Sequence, residues 1–203
     1  MSRRVIVWRH GQTEWNVQRR FQGHQNVDLD ENGREQVADA AKILALKEPN
    51  IIATSDLARA RSTAAALEVV TGNTARLDEG LRETSGAAWE GLTHEEIMKQ
   101  DGSMFQAWFM DHRIRPGGTG ETITEVGSRA ATAVEQHVAD LADGEVLVAV
   151  THGGSARALV GHLMKWPPES WRRLGVLENA AWAELLFGMD GNWRLLAYNQ
   201  SAR

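Results

Sequence analysis

Two apolar runs, each closing on a His-Gly step, constrain this chain more than any other feature. Val5-Ile-Val-Trp8 leads through Arg9 to His10-Gly11, and Val146-Leu-Val-Ala-Val150 leads through Thr151 to His152-Gly153. The second run is apolar at every position. A strand without polar alternation needs cover on both faces, the condition of a central strand with helices on either side. Helical patterns lie between the runs. Glu31–Lys47 sets Val37, Ala40, Ala41 and Leu44 on one stripe before Pro49. Leu57–Val70 follows Ser55, a natural N-cap, and meets Gly72 at its end. Glu121–Leu141 has the clearest period, through Ile123, Val126, Ala130, Val134, Val138 and Leu141, with Thr122 and Glu125 at capping-box spacing. Gly154–Met164 is a further helix, ended by Pro167-Pro168. Ile51–Thr54 and, more weakly, Thr74–Leu77 read as strands, and Ala181–Leu186 with Trp193–Tyr198 as an antiparallel pair around Asp190-Gly191. Thr93–Pro116 keeps no steady period and reads as short helices over the surface. Strands alternating with helices predict an α/β fold, a three-layer αβα sandwich on a mostly parallel six-stranded sheet. No repeat or linker divides the 203 residues, so one domain over 1–203 is expected.

Charge and composition exclude several function classes. A net charge of −5 argues against general nucleic-acid binding, though not against a local basic pocket. The chain has no cysteine, so disulfides, thiolate catalysis and Cys-rich zinc sites are ruled out. The seven histidines are scattered, with no His-Glu-x-x-His pair and no acidic cluster. No metal and no cofactor is therefore expected, and a metal-dependent hydrolase is the weaker rival. The apolar run Val5–Trp8 is too short for a signal peptide or a membrane span, so no membrane partner and a cytoplasmic location are expected. Eight tryptophans are many for this length and are expected in the core or in a pocket wall.

Both histidines stand at strand ends, and open α/β sheets bind ligands outside the carboxyl ends of their strands. The glycine after each lets backbone approach a ligand closely. Arg9 adjoins His10. Arg59 and Arg61 flank the stripe Leu57, Ala60, Ala64 and Leu67 on opposite sides, so one of them faces the sheet edge. A guanidinium fork there matches phosphate oxygens at two points. Glu83 follows the third strand, with Glu79 and Glu90 as competitors for the same part.

Four stretches together resemble the histidine phosphatase, or phosphoglycerate mutase-like, superfamily. Arg9-His10-Gly11-Gln12-Thr13-Glu14-Trp15-Asn16 is similar to its signature. Ser55-Asp-Leu57-Ala-Arg59-Ala60-Arg-Ser-Thr63 is similar to the second motif and selects Arg59 over Arg61. Leu81-Arg-Glu83 with Trp89-Glu90-Gly91 resembles the third and selects Glu83, and Thr151-His152-Gly153-Gly154 resembles the fourth. The motifs stand in family order across nearly the whole chain. One position departs: the family's glycine four residues after the acid is Ala87 here, with Gly86 one earlier, so a shifted loop is expected.

The resemblance implies a phosphatase that works without metal. Neutral His10 would attack phosphorus, Arg9, Arg59 and His152 would clamp the phosphoryl oxygens, and Glu83 would protonate the leaving oxygen and later take a proton from water. Cationic neighbours favour the neutral, nucleophilic imidazole. The same resemblance implies Thr13, Asn16, Gln22, Gly23 and Gly153 as substrate contacts. The expected partner is a small-molecule phosphate ester, and a homodimer is admitted. Leu81-Arg-Glu-Thr84, Trp89-Glu-Gly-Leu-Thr-His94, Asn179-Ala-Ala-Trp182, and Trp193-Arg-Leu195 with Tyr198-Asn-Gln-Ser-Ala202 are similar to the glucosyl-3-phosphoglycerate phosphatase branch. His24, His94 and Arg115 are further candidate substrate contacts. The alternatives are a cofactor-dependent phosphoglycerate mutase, which must shield its phosphohistidine from water, and a catalytically silent phospholigand-binding protein.

Overall fold

In the computed structural model, which describes residues 2–202, the run of five apolar residues lies within β4 (Val146–Thr151), every residue of which is buried. Its neighbours are β1 (Arg3–Arg9) and β2 (Ile51–Thr54), and the six strands order as β3-β2-β4-β1-β5-β6. β3 (Arg76–Leu77) is a two-residue strand at one edge, while β5 (Trp182–Phe187) and β6 (Trp193–Gln200) form a hairpin at the other. The pairs β3·β2, β2·β4 and β4·β1 are parallel, whereas β1·β5 and β5·β6 are antiparallel. The sheet is therefore mixed, not mostly parallel as the sequence suggests. The reason is local. The chain before β5 arrives at the carboxyl end of β1, where Ala180 N–H donates to the His10 carbonyl and Arg9 N–H to that of Ala181. From that end β5 can only run back down.

Pleating divides the core. Val5 and Val7 of β1 face one side with Leu147 and Ala149, and Ile6 and Trp8 face the other with Val148 and Val150. The first side is covered by α5 (Ile123–Ala139) and α6 (Gly153–Leu163), the second by α2 (Glu31–Ala45) and α3 (Ala58–Thr71). The packing admits no spare atoms. A Cβ on Gly161 of α6 would stand 2.5 Å from the Trp171 ring, and one on Gly127 of α5 would stand 2.7 Å from it. That tryptophan belongs to a 3-10 segment, Pro168–Arg173, which closes the α5–α6 face.

Helix ends follow the sequence in most places. Thr122 and Glu125 form the capping box of α5, and Gly72 ends α3 in the left-handed conformation at φ 75°. Two expectations fail. Ser55 does not occupy the N-cap of α3: the N-cap is Leu57, which makes no side-chain cap bond, and the Ser55 hydroxyl accepts from Leu57 N–H at 3.3 Å and meets His152 at 2.9 Å. The stretch after Thr93 is not a set of short surface helices but one helical segment, α4 (His94–Met110), bent at Asp101. Trp89 donates its indole N–H to the Asp101 carboxylate at 3.1 Å across that bend. Ile97, Phe105, Trp108 and Phe21 pack around Trp89 in a separate cluster. The bend changes the helix face between Ile97 and Phe105, which is why no single period is visible.

Candidate active site

The register of β1 against β4 builds the site. Arg9 pairs with Thr151, so the next residues, His10 and His152, emerge side by side, with ring centroids 5.2 Å apart. His10 N–H bonds the Thr151 carbonyl at 3.0 Å. A short α1 (Glu14–Val17) follows, begun by a Thr13–Asn16 capping box. Gly11 is pressed against α2, where an added Cβ would fall 2.5 Å from the Gly33 carbonyl oxygen, and its own N–H is held by the Thr63 hydroxyl of α3.

Both imidazoles are buried and their hydrogen bonds fix their tautomers. His10 Nδ1 lies 2.7 Å from the Gly11 carbonyl oxygen. A carbonyl only accepts, so Nδ1 carries the hydrogen and Nε2 keeps its lone pair. Burial, then Arg59, then Arg9 hold this ring well below the ordinary histidine range, outweighing the Gly11 carbonyl. His10 is a neutral imidazole at neutral pH, with its lone pair on Nε2. His152 is the other tautomer. Arg59 Nε–H donates to its Nδ1 at 3.1 Å, so its Nε2–H donates to the Ser55 hydroxyl at 2.9 Å. Burial and the Arg59 and His10 neighbours keep this ring neutral also. His152 thus contributes no cation here: both of its nitrogens are engaged, and it orients Arg59.

Arg59 is fully buried. Besides His152, its terminal nitrogens reach the Gln25 and Gly23 carbonyls at 2.8 Å each. Three of the five N–H groups of a guanidinium are thereby used, and two remain. Burial, first among its causes, lowers its pKa to about 10, so it stays charged at neutral pH. Arg9 donates to the Leu177 carbonyl, and its buried Nε has no partner among the described residues. Arg61 lies outside the site, on a surface groove near Leu77.

Glu83 reaches the same zone from the loop after the 3-10 turn Glu79–Leu81. Its carboxylate accepts from Gly154 N–H at 3.0 Å, Ser155 N–H at 2.9 Å and its neighbour Thr84 N–H at 2.8 Å. The Gly154 and Ser155 donors belong to the first turn of α6, a natural seat for an anion. Arg129 of α5 fixes the loop itself, donating to the Gly80, Arg82 and Glu83 carbonyls at 2.8 Å and pairing with Glu121. Nothing in the local sequence marks Arg129 for this part. Ala87 takes φ +47°, the left-handed conformation natural to glycine, at the position where the family has its glycine. Glu90 is bound to the His24 and Gly86 N–H groups, and Glu79 lies outward with Arg82.

A cavity of about 250 Å³ opens over these groups. Arg9, His10, Asn16, Gln22, Gly23, Arg59 and Glu83 line it. Thr13, Gly153 and His152 are not among its lining residues. Thr13 hydrogen-bonds Asn16, whose Oδ1 also accepts from Asn179, leaving the Asn16 amino group for a ligand. A Cβ on Gly153 would fall 2.5 Å from Val176 and 3.2 Å from the Arg9 guanidinium, so this glycine makes room for Arg9. His94 lines the cavity; His24 instead bonds the Glu83 carbonyl and Arg115 pairs with Glu125. The sequence does not reveal that Phe21, Trp108, Phe109, Arg157, Arg172 and Val176 also line it. Among the described residues no group of three or more histidines and acids could hold a metal ion, and no helix is long and apolar enough to cross a membrane.

Comparison with known proteins identifies the family. A family model described as "Histidine phosphatase superfamily (branch 1)" matches residues 5–201. A glucosyl-3-phosphoglycerate phosphatase of Mycobacterium tuberculosis is 39% identical, over 100% of this chain and 96% of that protein. A solved structure of a mycobacterial glucosyl-3-phosphoglycerate phosphatase in complex with VO3 superimposes with a TM-score of 0.91 at 39% identity, covering 98% of this chain and 100% of that one. A 2,3-bisphosphoglycerate-dependent phosphoglycerate mutase of Cytophaga hutchinsonii is 31% identical over 81% of this chain and 79% of that protein. With its two strand-end histidines side by side and its sequence matched almost from end to end, the chain belongs to the histidine phosphatase superfamily.

Proposed function

We propose that the chain hydrolyses a phosphomonoester by passing its phosphoryl group to Nε2 of His10 and then to water, and that its substrate is glucosyl-3-phosphoglycerate. The carrying observation is the hydrogen bond from His10 Nδ1 to the Gly11 carbonyl, which leaves Nε2 unprotonated in a cavity shared with two arginines. In the first step the Nε2 lone pair forms an N–P bond while the ester P–O bond breaks, and the departing oxygen takes a proton from Glu83. In the second step water attacks phosphorus, gives a proton to Glu83, and the N–P bond electrons return to His10. Arg9, Arg59 and the Asn16 amino group hold the phosphoryl oxygens, which supplies the electrostatic stabilisation that phosphoryl transfer requires. His152 acts through Arg59. Three backbone N–H donors hold the Glu83 carboxyl in place beside the cavity, where it can pass a proton to the leaving oxygen and take one from water.

Similarity to glucosyl-3-phosphoglycerate phosphatases over the whole length supports the substrate. In this reading residues 1–203 act as one catalytic domain, in the cytoplasm, on a diffusible ester. Acid-labile phosphohistidine, trapped by quenching during turnover and mapped by mass spectrometry, should fall on His10, and His10→Ala should abolish it. Near-normal phosphatase activity in His10→Ala would refute the mechanism. A panel of phosphate esters with a mutase assay alongside tests the substrate; phosphoryl exchange between phosphoglycerates exceeding release to water would favour a mutase.

A further inference from the structure

The cavity carries more positive charge than a phosphoryl group uses. Arg9 and Arg59 stand with His10 at the strand ends. Arg157, from α6, and Arg172, from the 3-10 segment Pro168–Arg173, line the same cavity. The Nε atoms of both are buried without a hydrogen-bond partner among the described residues. Neither arginine forms an ion pair among the described residues. Arg20, which also lines the cavity, is by contrast tied to the Gly91 carbonyl and to Glu96.

Arg172 is held by aromatic faces instead of an acid. Its guanidinium carbon lies 4.5 Å from the Trp108 ring centroid and 5.7 Å from that of Phe109. Burial first, then the like charge of Arg157, lowers its pKa to about 10, so it remains a cation at neutral pH. Both side chains are partly buried, and drawing a charge away from water without a partner is costly, a cost that a bound anion would offset. The two forks share one cavity with His10 and arise from different elements.

We propose that Arg157 and Arg172 form a second anion subsite, which binds the carboxylate of a phosphorylated carboxylic acid while its phosphate lies at His10. A planar guanidinium fork suits a carboxylate at two points. Trp108, Phe109 and Val176 give the subsite an apolar side. The inference rests on the phosphatase reading and deepens it, because it selects acids among phosphate esters.

The test compares kcat/KM on 3-phosphoglycerate and on glycerol 3-phosphate, which differ by a carboxylate in place of a hydroxymethyl group. The unmodified enzyme should prefer the acid by about tenfold or more, the worth of a charge-assisted hydrogen bond. Arg172→Met and Arg157→Met should each lower the ratio of the two constants toward one, and Arg172→Lys should restore part of it. Competition by glycerate against glycerol in the unmodified enzyme reads the subsite without any variant, and glycerate should inhibit at the lower concentration. An unmodified enzyme with no preference for the acid, equal inhibition by glycerate and glycerol, or variants that lose both substrates in proportion would overturn the proposal. Hydrolysis of glycerol 3-phosphate without acid preference would sink the subsite alone, whereas failure on every ester would sink the phosphatase reading.

Discussion

Replacing Gly154 by alanine tests the acid–base carboxyl without touching it. The added Cβ would stand 2.7 Å from Glu83 Oε1 and 3.2 Å from Thr84 Oγ1. Ordinary van der Waals contact begins near 3.4 Å, so the carboxyl must retreat by about 0.7 Å. That motion pulls it off the Gly154 and Ser155 N–H groups, now 3.0 and 2.9 Å away. A displacement on the order of 1 Å at a reacting group can cost about 10²-fold, and complete loss of acid–base assistance about 10²–10⁴-fold. The variant should therefore lose about a hundredfold to a thousandfold in kcat on an alkyl phosphate, roughly the lower part of the acid–base range. With p-nitrophenyl phosphate the leaving group needs no proton, so phosphorylation stays fast while hydrolysis of the intermediate slows. Stopped-flow mixing should then show a burst of nitrophenolate equal to the enzyme concentration. Glu83→Gln should behave alike, and adding Gly154→Ala to it should cost little more, because both changes remove one function. Full activity of Gly154→Ala, or losses that multiply in the double variant, would refute the assignment.

Three further outcomes follow from the packing and the charges. Ala87→Gly relieves a left-handed alanine, a conformation costing about 1–2 kcal/mol, and should raise the melting temperature by a few degrees after the entropy of the new glycine is set against it; a fall would mean that φ +47° carries no strain. Gly161→Ala would drive a methyl to 2.5 Å from Trp171 and should destabilise by about 1–3 kcal/mol in urea unfolding, with unchanged stability the contrary result. Unfolded histidine titrates near pH ~6.5 while buried His10 and His152 titrate well below it, so below that pH the unfolded chain binds more protons and stability falls with falling pH, by up to about 1.4 kcal/mol per unit for each ring. His152→Gln should flatten that slope by one ring's share, and an unaltered slope would show that His152 is already protonated in the folded state.

Most of what the sequence made legible was local. The apolar runs, the helix period from Ile123 to Leu141 and the left-handed Gly72 each express a rule spanning a few residues, and each element formed where the rule put it. What failed was settled by contacts across long separations. The N-cap logic at Ser55 is sound for an isolated helix, but the hydroxyl has a stronger claim from a buried imidazole ninety-seven positions away. The face of Ile97, Phe105 and Trp108 is coherent only around Trp89, and the bend at Asp101 erases its period along the chain. Arg9 and His10 stood out at a strand end, the motif resemblance singled out Arg59 and Glu83, and the register of β1 on β4 brings His10 beside His152. Arg172 and Trp108 gave no such sign, since only the folded chain brings a 3-10 segment and the bent helix over the same opening.

The cavity joins two parts of different construction. Its floor belongs to strand ends and to glycines packed so closely that even a methyl group would collide, as at Gly11 and Gly153. Its roof hangs on α4 and the 3-10 segment, whose outer residues Met104, Phe109 and Met110 remain open to solvent. Substitutions in the roof can accumulate while the reaction itself stays untouched, and lineages sharing one chemical step are thereby free to diverge in what they accept. For an engineer the practical corollary is that libraries aimed at new esters should be confined to the roof, with the floor left invariant.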